Sequence, residues 1–295
     1  MTPLTRSAKV TPLGSFDLAQ TMDFGFGQRD AQAGDPVLRL GFVTDDQRHQ
    51  VGVAVTQSPD GRLTYVVSGD PEADLDGVVA QTSRILSVDV DATGWDALGR
   101  RCALIGQLQA ARPGLRPPLF HSAYEALCWA VLSARRPARQ MAEVRRQLCE
   151  RYGAVVQVVS TDVAVMPTPA QLVDVTDLDA LPEVKLRRLR EVAAAALDGR
   201  LDTDALKALP KAEAETLLRE LDGIGPFYAE LVTVRALGHT DAVPSAEPTL
   251  LAEAGRLLQG GVPFTAAEFA EVARPWSPWR TWASVAIRAA GPRLQ

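Results

Sequence analysis

The run Leu221-Asp222-Gly223-Ile224-Gly225-Pro226-Phe227 has a spacing suited to holding an anion on backbone N–H groups. Gly223 and Gly225 permit a tight turn and close backbone approach. Pro226 suits the first position of a following helix, and Ile224 can plug the gap between the two helices. The new helix start presents N–H groups without partners. A phosphate held this way is bound without regard to base sequence. Alone, the motif reads better as an ordinary corner between helices. Basic residues cluster at two loops: Arg135, Arg136 and Arg139 at one, Lys185, Arg187, Arg188 and Arg190 at the other. They are either solvated faces or phosphate contacts, and phosphate contacts would make affinity fall steeply with salt. Among the acids, Asp222 and Asp241 read as turn residues. Glu247, just before Pro248, reads as a carboxylate at a helix N-terminus.

Other chemistry is sparse. Cys102, Cys128 and Cys149 are too far apart for a metal cluster or a disulfide framework. Cys128 and Cys149 fall on apolar helix faces and read as buried thiols. His49, His121 and His239 are isolated, so no zinc site is expected. The net charge is −5, and it is unevenly spread. Residues 1–110 carry 14 acidic and 9 basic side chains, whereas the remainder carries 22 of each. Polyanion binding is therefore expected in the second part, through local patches. No apolar stretch reaches the ~18 residues of a membrane span. Met1 to Val10 lack an apolar core, so no signal peptide is expected and cytoplasmic residence follows by default.

The elements that would position these residues come in two parts. Val37 to Val43, Val51 to Gln57 and Leu63 to Ser68 read as short strands, with a hairpin at Asp60-Gly61. A helix follows, with Leu75, Val78, Val79, Thr82, Ile85 and Leu86 at helical spacing. Ala111 to Phe120, rich in proline, reads as a connector. Beyond it, Ser122 and Glu125 form a capping-box pattern ahead of a helix with Tyr124, Leu127, Cys128, Val131 and Leu132 on one face. Further helices are expected from about Pro137 to Tyr152, Pro169 to Val173, Lys185 to Leu197, Lys211 to Leu221, Pro226 to Leu237, Thr249 to Leu258, Thr265 to Val272 and Pro278 to Ala289. The second part reads as all-helical with short links.

The context of the glycine turn adds a further signal. After it come Ala229-Glu230-Leu231-Val232, Arg235-Ala236-Leu237-Gly238 and Asp241-Ala242-Val243-Pro244. Together with Ala111-Arg112-Pro113-Gly114-Leu115-Arg116, Pro167-Thr168-Pro169-Ala170-Gln171-Leu172 and Trp276-Ser277-Pro278-Trp279-Arg280-Thr281-Trp282-Ala283, these residues resemble the helix-hairpin-helix (HhH-GPD) DNA glycosylase superfamily. Within it, they resemble the bacterial 3-methyladenine DNA glycosylase II family. The resemblance covers most of the chain. It implies an α+β protein: a small N-terminal antiparallel β/α domain (1–98), followed by an all-α helix-hairpin-helix glycosylase core. That core would comprise 122–239 with the hairpin, and a helical subdomain of 99–121 and 240–295 carrying the catalytic carboxylate.

The resemblance also implies chemistry. Such an enzyme flips a damaged base out of duplex DNA. It then stabilises an oxocarbenium-like sugar with a carboxylate as the base leaves. The family's aspartate position falls on Glu247, one methylene longer. Phe227 stands where relatives with lyase activity carry a lysine, which implies a monofunctional enzyme without a Schiff base. Phe227, Leu231, Arg288 and Tyr124 are the expected pocket residues; Leu231 and Arg288 stand where aromatics would be expected, and Arg288 would repel a cationic base unless it points outward. Gly223, Ile224, Gly225, Pro226, Phe227, Arg135 and Arg136 are the expected DNA contacts, Arg135 as a wedge filling the gap left by the flipped base. No side-chain metal site or organic cofactor is implied, but a monovalent cation on hairpin carbonyls is. The implied partner is duplex DNA with a damaged base, bound by a monomer, with no membrane association. The alternatives left open are a lesion-binding homologue without catalysis and a glycosylase for a different, neutral base.

Overall fold

The computed structural model describes residues 6–24, 35–179, 181–244 and 247–294. Ser245, Ala246 and the side chain of Arg139 lie outside the described residues. The chain begins with strand β1 (Arg6–Val10) and helix α1 (Leu18–Phe24), neither expected from the sequence. Strands β2 (Leu38–Val43), β3 (Gln50–Gln57) and β4 (Leu63–Gly69) follow, close to the expected spans. They form an antiparallel sheet in the order β1-β4-β3-β2. The Asp60-Gly61 turn joins β3 to β4: Gly61 has φ +85° and donates its N–H to the Ser58 carbonyl at 2.8 Å. Helix α2 (Leu75–Ile85) is capped by Asp74, whose carboxylate accepts from Gly77 N at 2.7 Å. Leu40, Phe42, Val53, Val55, Tyr65 and Val67 bury one sheet face together with Val78 and Ile85 of α2.

Helices α3 (Thr93–Arg101) and α4 (Ala103–Ala111) come next; neither was expected as an individual element, although 99–121 was expected to belong to a helical subdomain. Then come α5 (Ala123–Ser133), α6 (Ala138–Tyr152), α7 (Pro169–Leu172), α8 (Glu183–Leu197), α9 (Thr203–Ala208), α10 (Lys211–Leu218), α11 (Pro226–Arg235), α12 (Pro248–Leu258), α13 (Ala266–Ala273) and α14 (Arg280–Ala290). The core around α5 draws on α6, α8, α10 and α11. A separate core joins α3 and α4 to α12, α13 and α14, with Trp95 set against Trp279 and Trp282 at ring-centroid distances of 6.4 and 5.9 Å.

One expectation is overturned. The second part is not all-helical: β5 (Ala154–Val158) and β6 (Thr161–Val165) form an antiparallel hairpin between α6 and α7. Val156, Val158, Val163 and Val165 pack on the face of the N-terminal sheet opposite α2, around Ala54, Gly41 and Gly52. A Cβ on Gly41 would sit 2.6 Å from Val163 Cγ1, so a glycine here lets the hairpin lie flat on the sheet. This second layer explains why β3 is buried on both faces.

The expected capping box is half realised. Ser122 Oγ accepts from Glu125 N at 3.2 Å. The Glu125 carboxylate, fully buried, turns inward instead. It accepts from Val43 N of β2 at 3.1 Å, His121 Nδ1 at 2.9 Å and Arg145 at 3.0 Å. It thus ties the sheet to the helical core. Burial alone would push this carboxyl up, but His121 and Arg145 outweigh burial and hold it below its usual 4.5. Removing one partner leaves the others buried and uncompensated, so Glu125→Gln should cost about 3 kcal/mol at pH 7 in urea unfolding. A carboxyl with a lowered folded-state pKa contributes stability above its unfolded value and loses it as pH falls through the folded value. The gap between wild type and variant should therefore close in acid; a gap independent of pH would contradict the ionised assignment.

Candidate nucleic-acid interface and active-site carboxylate

Helix α10 ends at Leu218 and the chain reaches α11 through the glycine turn. Leu221 and Ile224 are buried in the helical core, so Ile224 is the expected plug. Gly223 has φ +84°, and a Cβ there would lie 2.8 Å from the Arg188 guanidinium. Gly225 differs: its backbone is extended (φ −89°, ψ 179°), and no atom lies within 4 Å of where a Cβ would stand. Neither backbone nor packing requires glycine at 225. Its missing side chain instead leaves the start of α11 open to approach from outside. Pro226 takes the first helical position and no side chain caps the helix, so its first-turn N–H groups are left without a side-chain partner. Phe227 is 44% exposed and sits edge-on to Tyr228, so it is not a core residue.

The basic loops divide. Lys185 is buried and donates to the carbonyls of Leu132 (2.5 Å) and Ala134 (2.9 Å), closing the end of α5. Burial, and then the charges of Arg136 and Arg188, lower its pKa. Arg187 and Arg188 bind Asp222 of the turn, and Arg190 binds Glu183. Hydrogen bonds from Arg188 and Arg187 hold the Asp222 carboxyl below its usual range, so the hairpin's acid is neutralised. Arg135 and Arg136 are exposed. Arg135 has φ +56°, in the left-handed region, just past the end of α5 that Lys185 secures. Arg188 touches the Gly223 turn and its charge acts on Lys185. The Arg135 loop, the start of α8 and the hairpin are therefore neighbours on one surface.

Glu247 occupies the N-cap position of α12, but its side chain makes no capping hydrogen bond. Its carboxylate instead lies 3.0 Å from Arg288 Nε of α14, and the two side chains are 30% and 39% exposed. The pair is thus open to a ligand. Asp241 and Ala242, after α11, are tied to the start of α14. Asp241 accepts from Arg280 Nε at 2.7 Å and from Ser277 Oγ at 2.8 Å, and Thr281 Oγ1 donates to the Ala242 carbonyl. Burial would raise the Asp241 pKa, but the bonds from Arg280 and Ser277 prevail and lower it. Asp241 is a structural clamp, and Glu230 is buried against Lys211. Asp241 and Glu247 are about equally exposed, at 31% and 30%, and each pairs with an arginine of α14; Asp241 also binds Ser277, whereas Glu247 has the single contact with Arg288 among the described residues.

The expected pocket residues do not all fit. Tyr124 is fully buried and its hydroxyl donates to the Pro167 carbonyl at 2.9 Å. It is a core side chain, not a pocket wall. Leu231 is half-buried against the helical core, one turn along α11 from Phe227. Arg288 faces the carboxylate, where sequence reasoning gave it no partner. A cavity of about 370 Å³, lined by Trp95, Arg100, Arg112 and Trp282 among others, contains none of these residues.

No family model matches the chain. It is 28% identical over 215 residues to a Mycobacterium tuberculosis protein named probable bifunctional transcriptional activator/DNA repair enzyme AlkA, covering 70% of this chain and 41% of that one. The chain thus spans about two fifths of that relative. It is 26% identical over 176 residues to the DNA-3-methyladenine glycosylase of Bacillus subtilis, covering 58% of each. Its structure matches that of a 3-methyladenine DNA glycosylase from Archaeoglobus fulgidus with a TM-score of 0.80 at 18% identity, over 97% of this chain and 98% of that one; this likeness shows the fold. In sequence and in fold alike, the chain resembles the helix-hairpin-helix DNA glycosylases, relatives named for 3-methyladenine among them.

Proposed function

We propose that this chain is a monofunctional DNA N-glycosylase that excises damaged purines of the alkylated class during base excision repair. The observation that carries the reading is an open hairpin turn at the start of α11 together with a partly exposed carboxylate at the start of α12. The turn holds duplex phosphate on the first-turn N–H groups of α11, and Arg135 and Arg136 contact the strand beside it. Arg135 enters the gap left by the flipped base. The C1′–N bond then breaks with its electron pair going to the base. Glu247 stabilises the positive sugar and takes a proton from the water that adds to C1′. Phe227 and Leu231 supply apolar surface on one face of α11.

No hydrogen bond among the described residues engages the carbonyls of Gly223 or Ile224, so they suit a monovalent cation, which would add positive charge beside the phosphate. No organic cofactor enters the reading, and the working unit is a monomer. Phe227 cannot form a Schiff base. Borohydride should therefore trap no covalent complex with abasic DNA; a trapped adduct would refute the monofunctional assignment.

The second reading is a lesion-binding homologue without catalysis. The Arg288 contact favours it, because a paired carboxylate is a weaker partner for a cationic sugar. Base release from methylated duplex DNA decides between the two. Release of 3-methyladenine or 7-methylguanine supports the enzyme, whereas lesion-dependent binding without release supports the homologue.

A further inference from the structure

We infer that Lys185 is a positioning residue for base flipping, because it holds the turn that presents Arg135 to DNA. The inference rests on the reading that Arg135 enters the gap left by the flipped base. Past the end of α5, the Arg136 N–H donates to the Ser133 carbonyl at 3.1 Å. Ala134 has φ −54° and ψ 119°, and Arg135 has φ +56°. This is the pattern of a type II turn, whose third residue needs a positive φ and is ordinarily glycine or asparagine. Here an exposed arginine takes that place. Such a conformation persists only where the surroundings enforce it.

Lys185 supplies the enforcement. It stands in the first turn of α8 and is only 8% exposed. Its Nζ donates to the carbonyls of Leu132 at 2.5 Å and Ala134 at 2.9 Å. The Ala134 carbonyl belongs to the planar unit that joins Ala134 to Arg135. Flipping that unit would convert the turn to type I, with Arg135 at an unstrained φ of about −90° and its side chain pointing in a new direction. The ammonium holds the carbonyl and so opposes the flip. The placement is a costly one for a lysine. The N-terminal end of a helix disfavours a cation, and Arg136 and Arg188 add like charge. Among the described residues, two carbonyls and no carboxylate receive this ammonium. Local rules of stability are broken in this way where a site needs a fixed geometry. The same stretch of α8 holds the second contact loop, since Arg187 and Arg188 bind Asp222 of the glycine turn. Residues 185–188 thus set the spacing between the phosphate-binding turn and the arginine that fills the gap.

The test is stopped-flow fluorescence of a 2-aminopurine placed beside one 7-methylguanine in a duplex, which brightens as its neighbour leaves the stack. Lys185→Met keeps the length of the arm and removes the donors. It should cut the flipping signal about tenfold or more, with undamaged-duplex affinity within about twofold because the phosphate contacts remain. Lys185→Arg should restore part of the signal. Arg135→Ala should lose flipping similarly, and adding Lys185→Met to it should cost little more, since the lysine acts through the arginine. Urea melts accompany each variant; where Lys185→Met does not fold, Lys185→Gln makes the same comparison. An equal further loss in the Arg135→Ala background would make Lys185 a general support and overturn the inference. So would a Lys185→Met protein that flips as wild type while Arg135→Ala does not. An Arg135→Ala protein that flips as wild type would instead remove the gap-filling reading, and the inference with it.

Discussion

Glu247→Gln should reduce base release by about a thousandfold, the scale expected when a transition-state charge loses its fixed partner. Duplex affinity should stay within about twofold, because neutralising one half-exposed carboxylate barely changes a phosphate-dominated interface. Folding should also be unaffected, since the side chain makes no capping bond to α12. The measurement is single-turnover release from methylated duplex, alongside anisotropy with the same DNA. A variant that retains more than a tenth of wild-type release would sink the assignment. Glu247→Asp is the informative companion. Shortening the arm withdraws the carboxylate from Arg288 as well as from the sugar. Misplacement of about 1 Å costs up to a hundredfold, so Asp should fall between Glu and Gln.

Gly225→Val should weaken binding to damaged and undamaged duplexes alike, by about tenfold or more, by blocking the phosphate approach to the start of α11. Stability should move by less than about 0.5 kcal/mol, because the extended backbone accepts any residue and the Cβ meets open space. Gly223→Val is the control with the opposite profile. It forces a β-branched residue into the left-handed region against Arg188, at a cost of about 1–3 kcal/mol. Titration of both variants at fixed salt, with urea melts in parallel, separates the two effects. Unchanged duplex affinity in Gly225→Val would remove the hairpin from the interface.

What the sequence disclosed was mostly local. The Asp60-Gly61 turn, the Ser122 cap and the glycine hairpin each depend on a few adjacent residues, and each is found where expected. The β5–β6 hairpin escaped because its valines are buried by a sheet about a hundred residues earlier, and no neighbouring helix pattern announces that partner. The individual helices α3 and α4 escaped for a similar reason: Trp95 finds its ring partners in Trp279 and Trp282 at the start of α14, near the far end of the chain. Charge was harder still. Lys185 resembles its neighbours Arg187 and Arg188 in sequence, yet only Lys185 is buried as a cap on α5. Tyr124 lies on a helix with no exposed face, so amphipathic reasoning had nothing to distinguish pocket from core. Glu247 was reachable by resemblance, but its contact with Arg288 joins residues on separate helices and became visible only in three dimensions.

The docking of β5–β6 on the N-terminal sheet bears on how the molecule can be divided. Deleting the first ninety residues would strip Val156, Val158 and Val165 of their cover and remove the strand that donates Val43 N to Glu125. The remaining fragment would expose an aliphatic strand pair with unpaired edges, a template for self-association. A shortened helical core from this chain should therefore precipitate during purification unless those valines are first replaced by polar residues.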